Sequence, residues 1–521
     1  MAKKRYLIIY ILIMILGAQP PIFWIWFYWS YFGGFSVPFF LLFPIALIGA
    51  IFLLIISSAI ISRFFLAIAN IIHPPQEGVF ARSKKDKDYC YWSLRAVIKK
   101  WPIWIARQLS IHYIETLLLR IYGVKVGNMV SLHEGWVDTE FIQIGKNVRL
   151  GQGSLILSSF LADNKLILKK TTIEDGVIIG AHSVVLPGTK IEENTILDAL
   201  STTTVGQTLD KETVYRDSPC QKVLKNTQID DKNAFEQIVF RQHDKERYVE
   251  EDLREEAKEL AVPFHLYISS GWMIIGFSFI IPGFLFYLYL FGLLEPYLFS
   301  IPITIMSFTS LENWIILITL PIVLISLYLL HLILVAFLTR IFYSFADKRG
   351  PEQGIFDRNL NKESNVLDYY HFRSFLFKYP IFAFIRSPFP WLINWELQFL
   401  GSNKIGKGTV IEEAYLHSHI HLGKNCYLGT FTHLTNHLVD GVYGEENLTF
   451  FGADVEDNSI FEVLTGTLPG TKVGKNSTFI PIGSTVKFDE LKGDAIYFGF
   501  PAKKLSQEDK RRYLGVEFED E

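Results

Sequence analysis

The sequence predicts a membrane α plus all-β protein, in which two transmembrane helical hairpins alternate with two three-sided parallel β-coils by internal duplication. Three observations predict it. Four charge-poor apolar runs come as two pairs. Each pair is followed by a glycine-rich region with a period of six. The motifs after the first pair return, in order, after the second.

The 521 residues are 50% apolar and 15% aromatic, with a mean hydropathy of +0.25. That is too long for one domain and too apolar for an ordinary soluble chain. A net charge of −3 provides no basic field for nucleic acid. Cys90, Cys220 and Cys426 are scattered and form no CxxC, so neither a disulfide framework nor a zinc-cysteine site is expected.

The first hairpin is assigned to 1–65. Its runs, 6–32 and 37–65, flank Gly33-Gly34, and each exceeds the ~20 residues a bilayer requires. Trp24, Trp26 and Trp29 lie near the run ends, as in an interfacial belt. The first run lacks a small-residue cleavage site, so a cleaved signal peptide is not expected. The second hairpin is assigned to 263–345, with runs 264–294 and 314–345 and with Trp272 and Trp314 near their ends. Lys3, Lys4 and Arg5 precede the first run. Arg63, Arg82, Lys84, Lys85 and Lys87 follow the second, and Arg340, Lys348 and Arg349 follow the fourth. The short connections carry no lysine or arginine. The positive-inside rule then predicts a multi-pass protein of the cell membrane with its N-terminus and both polar regions cytoplasmic.

The repeat is exact enough to align. PPQEGVFAR (74–82) returns as GPEQGIFDR (350–358), and LPGTK occurs at 186–190 and 468–472. WSLRAVIKKWPIW (92–104) answers YHFRSFLFKYPIF (370–382), with Arg95 and Arg373 278 residues apart. FIQIGKNVRLG (141–151) answers HIHLGKNCYLG (419–429) at the same offset. Order and spacing of this kind mark a duplicated unit. The connectors, 66–126 and 346–404, mix aromatics with Arg95, Lys99, Lys100 and Arg107. Such a helix either lies in the headgroup plane or packs between hairpin and coil. Residues 230–262 read as a charged linker helix, and 506–521 as a charged tail.

The coils are assigned to 127–229 and 405–505. IEDGVI IGAHSV VLPGTK IEENTI places an aliphatic residue at every sixth position. That period fits a triangular coil whose turns bury one another. The phase slips at 160–172 and 438–451, where loops are expected to leave the coil.

Five of the chain's 13 histidines, His417, His419, His421, His433 and His437, lie within 21 residues of the second copy. In HIHLG, alternation turns Ile420 and Leu422 inward and His419 and His421 outward. The loops LSSFLADN (157–164) and LTNHLVDG (434–441) share the frame Leu-x-x-x-Leu-x-Asp, which sets Phe160 opposite His437. An imidazole titrates in the range suited to taking a proton from an acceptor. Three readings remain for these histidines: solvated loop residues, an acyl-transfer site around His437, or a metal site. For the whole chain, a non-catalytic scaffold presenting coil faces to a partner is the alternative to an enzyme.

The hexads, with FGFPAKK (498–504) as a terminal coil, resemble left-handed β-helix acyltransferases. The alternation of membrane hairpins with hexapeptide domains, and the GPEQGIFDR connectors, resemble the membrane-embedded C-terminal region of poly-lysine-synthetase-type nonribosomal peptide synthetases. These resemblances imply two left-handed parallel β-helix (hexapeptide repeat) domains and acyl or aminoacyl transfer. The donor would be a thioester, coenzyme A or phosphopantetheine, used as a substrate, with no bound cofactor and no metal. His437 would be the base, with Asp440 and His433 beside it, and His419, His421 and Lys503 would contact substrate. The implied partners are the lipid bilayer, a carrier protein or adenylation enzyme, and further copies of the chain. These 521 residues hold two repeats where that family has three, and neither an adenylation nor a carrier domain. The first copy also lacks the loop histidine.

Overall fold

The apolar runs form helices because nothing within them offers the backbone a competing partner. A computed structural model describes residues 4–109, 111–132, 135–225, 264–299, 303–357, 365–439 and 447–515. Among these residues, four stretches are long and apolar enough to cross a membrane: Tyr6–Phe32, Val37–Ile72, His265–Phe299 and Leu311–Asp347. Gly33, at φ 64°, ends the first helix pair in the left-handed region. Ser36 and Ser310 cap the helices that follow by accepting hydrogen bonds from Phe39 N and Asn313 N. Leu41, Ile45, Ile60, Ile280 and Phe284 point away from all protein. Such a face is costly in water and suited to lipid chains.

One of these elements runs past its expected end, and another had two readings open. The second helix runs to Ile72, seven residues past the expected end of the hairpin. The connector helix Lys87–Gln108 packs against that helix and the coil. It buries Arg95 and Lys99, each bonded to Glu140 at 2.8 and 2.9 Å. Of the two connector readings, the structure therefore selects packing between hairpin and coil. The expected linker helix at 230–262 lies outside the described residues.

Each glycine-rich region winds into three parallel sheets of two- to four-residue strands, with additional antiparallel strands at some ends. In the first, Ile144, Ile173, Ile191 and Leu209 stack in one buried ladder. Burying each such side chain stabilises by about 1.5–3 kcal/mol. Corners are turned by Asn147, Asn194, Asn425, Asn458 and Asn476 in the left-handed region, which asparagine tolerates. Gly423 shows why glycine recurs in these turns: a Cβ there would fall 2.5 Å from Asp457 N on the next turn.

Where the hexad phase slips, the chain leaves as a β-hairpin. Ser159–Ala162 and Lys165–Leu168 pair across Asp163-Asn164, both at positive φ, as a two-residue hairpin turn favours. Strand Gly78–Ala81 adds to this hairpin as a third strand. In the second copy, Gly354–Asp357 adds in the same way to Asn447–Phe450, which also pairs with His437–Val439. The nine-residue motif recurs because each hairpin requires this outer strand.

The hairpin register corrects the sequence alignment. Ser159 lies opposite Leu168, itself opposite Gly78, while His437 lies opposite Phe450, itself opposite Gly354. Ser159, not Phe160, therefore matches His437. Phe160 is buried in a core shared by both coils, with Leu155, Leu157, Val463, Ile480 and Ile496. Leu161 N donates to Glu462 Oε1 across the same contact at 2.8 Å. The segment expected as a charged tail contains helix Gln507–Leu514, whose Tyr513 and Leu514 join that core. Val205 N donates to Tyr513 O at 2.9 Å, so this helix ties the end of the second coil to the first.

Candidate functional site

The strand after Leu434 delivers His437 to the mouth of the second hairpin. Its ring lies 4.7 Å from His417 and 5.8 Å from Tyr370, centroid to centroid. Its Nδ1 is 3.1 Å from Asn436 Oδ1. That oxygen is identified by chemistry. Asn436 Nδ2 is 2.8 Å from the Ser418 carbonyl, which can only accept. The amide NH2 must face Ser418, so the amide oxygen faces His437. An oxygen that only accepts requires the proton on Nδ1. Nε2 is then the nitrogen of His437 that carries the basic lone pair.

The surroundings disfavour the charged form of the neighbouring imidazoles. Burial pushes His417 well below the usual histidine range, and His437, Lys378 and His433 add to the effect. Burial, then Arg373, lowers His419 to about 4. Partial desolvation lowers His433 as well, although its side chain is exposed. The His433 ring lies over Gly466, where a Cβ would fall 2.6 Å from its Nε2.

The structure gathers some of the residues singled out from sequence and separates others. His437 and His433 both lie close enough to lower His417. His419 joins through Ser418, with its Nδ1 3.2 Å from Ser418 Oγ, and its ring stands 5.3 Å from Phe450. His421 is engaged elsewhere, its Nδ1 2.8 Å from Asp454. Lys503 is exposed on the last strand of a sheet that holds none of these histidines. Asp440 lies outside the described residues, and the group found on His437 Nδ1 is Asn436. Among the described residues, no three His, Cys, Asp or Glu side chains could hold a metal ion.

Sequence reasoning missed Asn436, Ser418, Tyr370 and Arg373 as neighbours of the histidines. The 278-residue offset that pairs Arg95 with Arg373 was the available signal. In the first copy the corresponding place holds different chemistry. Asp138, just after its strand as His417 is after its own, accepts from Ser159 Oγ at 2.7 Å and from Ser159 N at 3.0 Å. A carboxylate–hydroxyl pair thus stands where the second copy has two imidazoles. The second coil closes over this first site with Glu462 and Tyr427. Glu462 is pushed up to about 8, chiefly by burial.

Comparison with known proteins supports the repeat. Residues 170–199 match the family model described as the hexapeptide repeat of succinyl-transferase. Among solved structures, a hexapeptide-repeat acetyltransferase from Vibrio cholerae is 16% identical, covering 24% of this chain and 88% of its own, at a TM-score of 0.21. A maltose O-acetyltransferase from Clostridium difficile is 18% identical, covering 24% and 83%, at 0.20. A galactoside acetyltransferase in complex with coenzyme A is 17% identical, covering 26% and 82%, at 0.22. A search of curated proteins finds no significant match.

Proposed function

We propose that the chain is a membrane-bound acyl or aminoacyl transferase drawing on a thioester donor, coenzyme A or carrier-bound phosphopantetheine. The observation that carries this reading is the Asn436–His437 contact at the hairpin mouth, which puts the proton on Nδ1 and makes Nε2 the basic nitrogen. Nε2 takes the proton of an acceptor amine or hydroxyl as that group bonds to the acyl carbon. The carbon–sulfur bond breaks, and the departing thiolate recovers the proton from His437. The acceptor is the nucleophile, so the site needs no serine or cysteine.

The hexapeptide match supports a transferase. The resemblance to peptide-synthetase terminal regions supports amide formation, left-handed coils, a carrier or adenylation partner and a role for Asp440. The lysine and arginine distribution supports a cytoplasmic site. The test is thiol release by the purified chain from acyl-coenzyme A and aminoacyl-thioester donors. Release that continues at the wild-type rate in His437→Ala ends the role of His437 on which this reading rests, and no release by the wild type favours the scaffold alternative.

A further inference from the structure

The two copies differ at one buried cation. In the first, Arg95 Nε donates to Glu140 Oε1 at 2.8 Å, and Lys99 Nζ reaches the same oxygen at 2.9 Å. Glu140 is the residue just before Phe141, which turns the corner at positive φ. In the second copy that corner is His419, also at positive φ, and the residue before it is Ser418. The carboxylate is gone. Lys99 has also gone, with Phe377 standing 278 residues on.

Arg373 keeps the place of Arg95 without that partner. Its side chain is 2% exposed. Nη1 donates to Asp347 Oδ1 at 2.7 Å. Among the described residues, Nε and Nη2 are buried with no hydrogen-bond partner. Aromatic rings lie nearby: the guanidinium carbon is 4.9 Å from the Phe450 ring centre and 5.7 Å from that of Tyr370. Gly350 stands near Nη1, where a Cβ would come within 3.3 Å, and the first copy has Pro74 at this point of the repeated motif.

Nε and Nη2 form the side of a guanidinium that meets a carboxylate through two parallel hydrogen bonds. Buried donors of this kind are costly when left unmade. The first copy answers part of that need with its own side chain. We propose that in the second copy the Nε–Nη2 edge of Arg373 binds the carboxylate of a small acceptor molecule. Tyr370 and Phe450 border both this edge and the histidines. Tyr370 is 5.8 Å from His437, and Phe450 is 5.3 Å from His419. A carboxylate held at Arg373 therefore anchors an acceptor beside the Tyr370 ring, which also neighbours the proposed base. This inference rests on the acyl-transfer reading for the word acceptor. The carboxylate site itself rests on Arg373.

The experiment is thermal unfolding of the purified full chain in detergent, with sodium acetate or propionate compared with chloride and with inorganic phosphate at equal ionic strength. The carboxylates are expected to raise the midpoint by about 2 °C near saturation, and phosphate and chloride to leave it unchanged. Arg373→Gln should lose the increment. Ser418→Glu, which restores the carboxylate of the first copy, should raise the midpoint without ligand and lose the increment. If Arg373→Gln does not fold, Ser418→Glu decides. No carboxylate increment in the wild type, an equal increment in the variants, or a larger one with phosphate overturns the proposal. His437→Ala should keep the increment. Loss of the transfer reading thus shows as thiol release independent of His437, and loss of the carboxylate site as an increment independent of Arg373.

Discussion

Ser159 and His437 hold the same position in two hairpins, opposite Leu168 and Phe450 respectively. One copy uses that position to tie its own backbone to Asp138. The other places an imidazole there, against His417 and Tyr370. The duplication has kept the frame and changed the chemistry at this position.

His437→Ala should lower thiol release by roughly 10²–10⁴, the usual worth of a general base. His437→Gln should be nearly as poor, since an amide does not take up the proton. Thermal stability should change by about 0.5 kcal/mol or less, because the ring is only partly buried. Ser159→Ala, by contrast, should leave turnover intact and cost about 1 kcal/mol, the typical worth of one hydrogen bond. Steady-state rates and melting curves of the three variants separate these outcomes.

Phe160→His should be damaging although it writes a histidine into the first hairpin. Phe160 is 1% exposed between the coils. Replacing it removes apolar packing and buries a polar ring, at a cost of about 3 kcal/mol. A variant as stable as wild type would overturn the described contact between the two coils.

Acid should weaken the second copy. His417 and His419 have folded values below the unfolded value of 6.5, and His419 lies at about 4. Between these limits the unfolded chain binds more protons than the folded one, so stability falls as pH drops from about 6.5 towards 4. His419→Asn suits the same positive φ and should flatten that slope, by no more than about 3 kcal/mol across the window. Midpoints measured from pH 7.5 to 4.5 would show it. An unchanged slope would count against the buried, neutral state of His419.

Glu462 should act in the opposite direction. Its folded value of about 8 lies above the unfolded value of 4.5, so its contribution is fully present below pH 4.5 and is lost as pH rises through 8. Glu462→Gln retains an oxygen to accept from Leu161 N and has no proton to lose. The variant should gain stability over wild type from pH 6 to 9. Parallel pH curves for the two proteins would rule out a protonated carboxyl at this contact.

Sidedness can be read with single cysteines, because Cys90, Cys220 and Cys426 are buried. Phe35→Cys and Leu311→Cys, both at exposed positions, should react with an impermeant thiol reagent added outside intact cells. Asp210→Cys and Glu508→Cys should react only after lysis. Labelling at Asp210 in intact cells would move the coils, and any intracellular thioester donor, to the wrong side.

Short-range periodicity was enough to make much of this protein legible. Uninterrupted apolar runs name the four helices, a period of six names the coils, and motifs that return in the same order, two of them at an offset of 278 residues, name the duplication. Each is a local rule that the chain obeys wherever it lies in space. The site follows other rules. Hydrogen-bond register across the hairpins decided that Ser159 matches His437, and a slip of one residue in a period-two element reverses which side chains face the site. The Ser418 carbonyl decided which way Asn436 points, and therefore which nitrogen of His437 is basic. Packing between chain segments about 300 residues apart decided that Phe160 is core and that burial pushes Glu462 up to about 8. The loss of one carboxylate at a corner left Arg373 with an unpaired edge. Partners that meet through space leave no period in the sequence, so only the folded chain could reveal them.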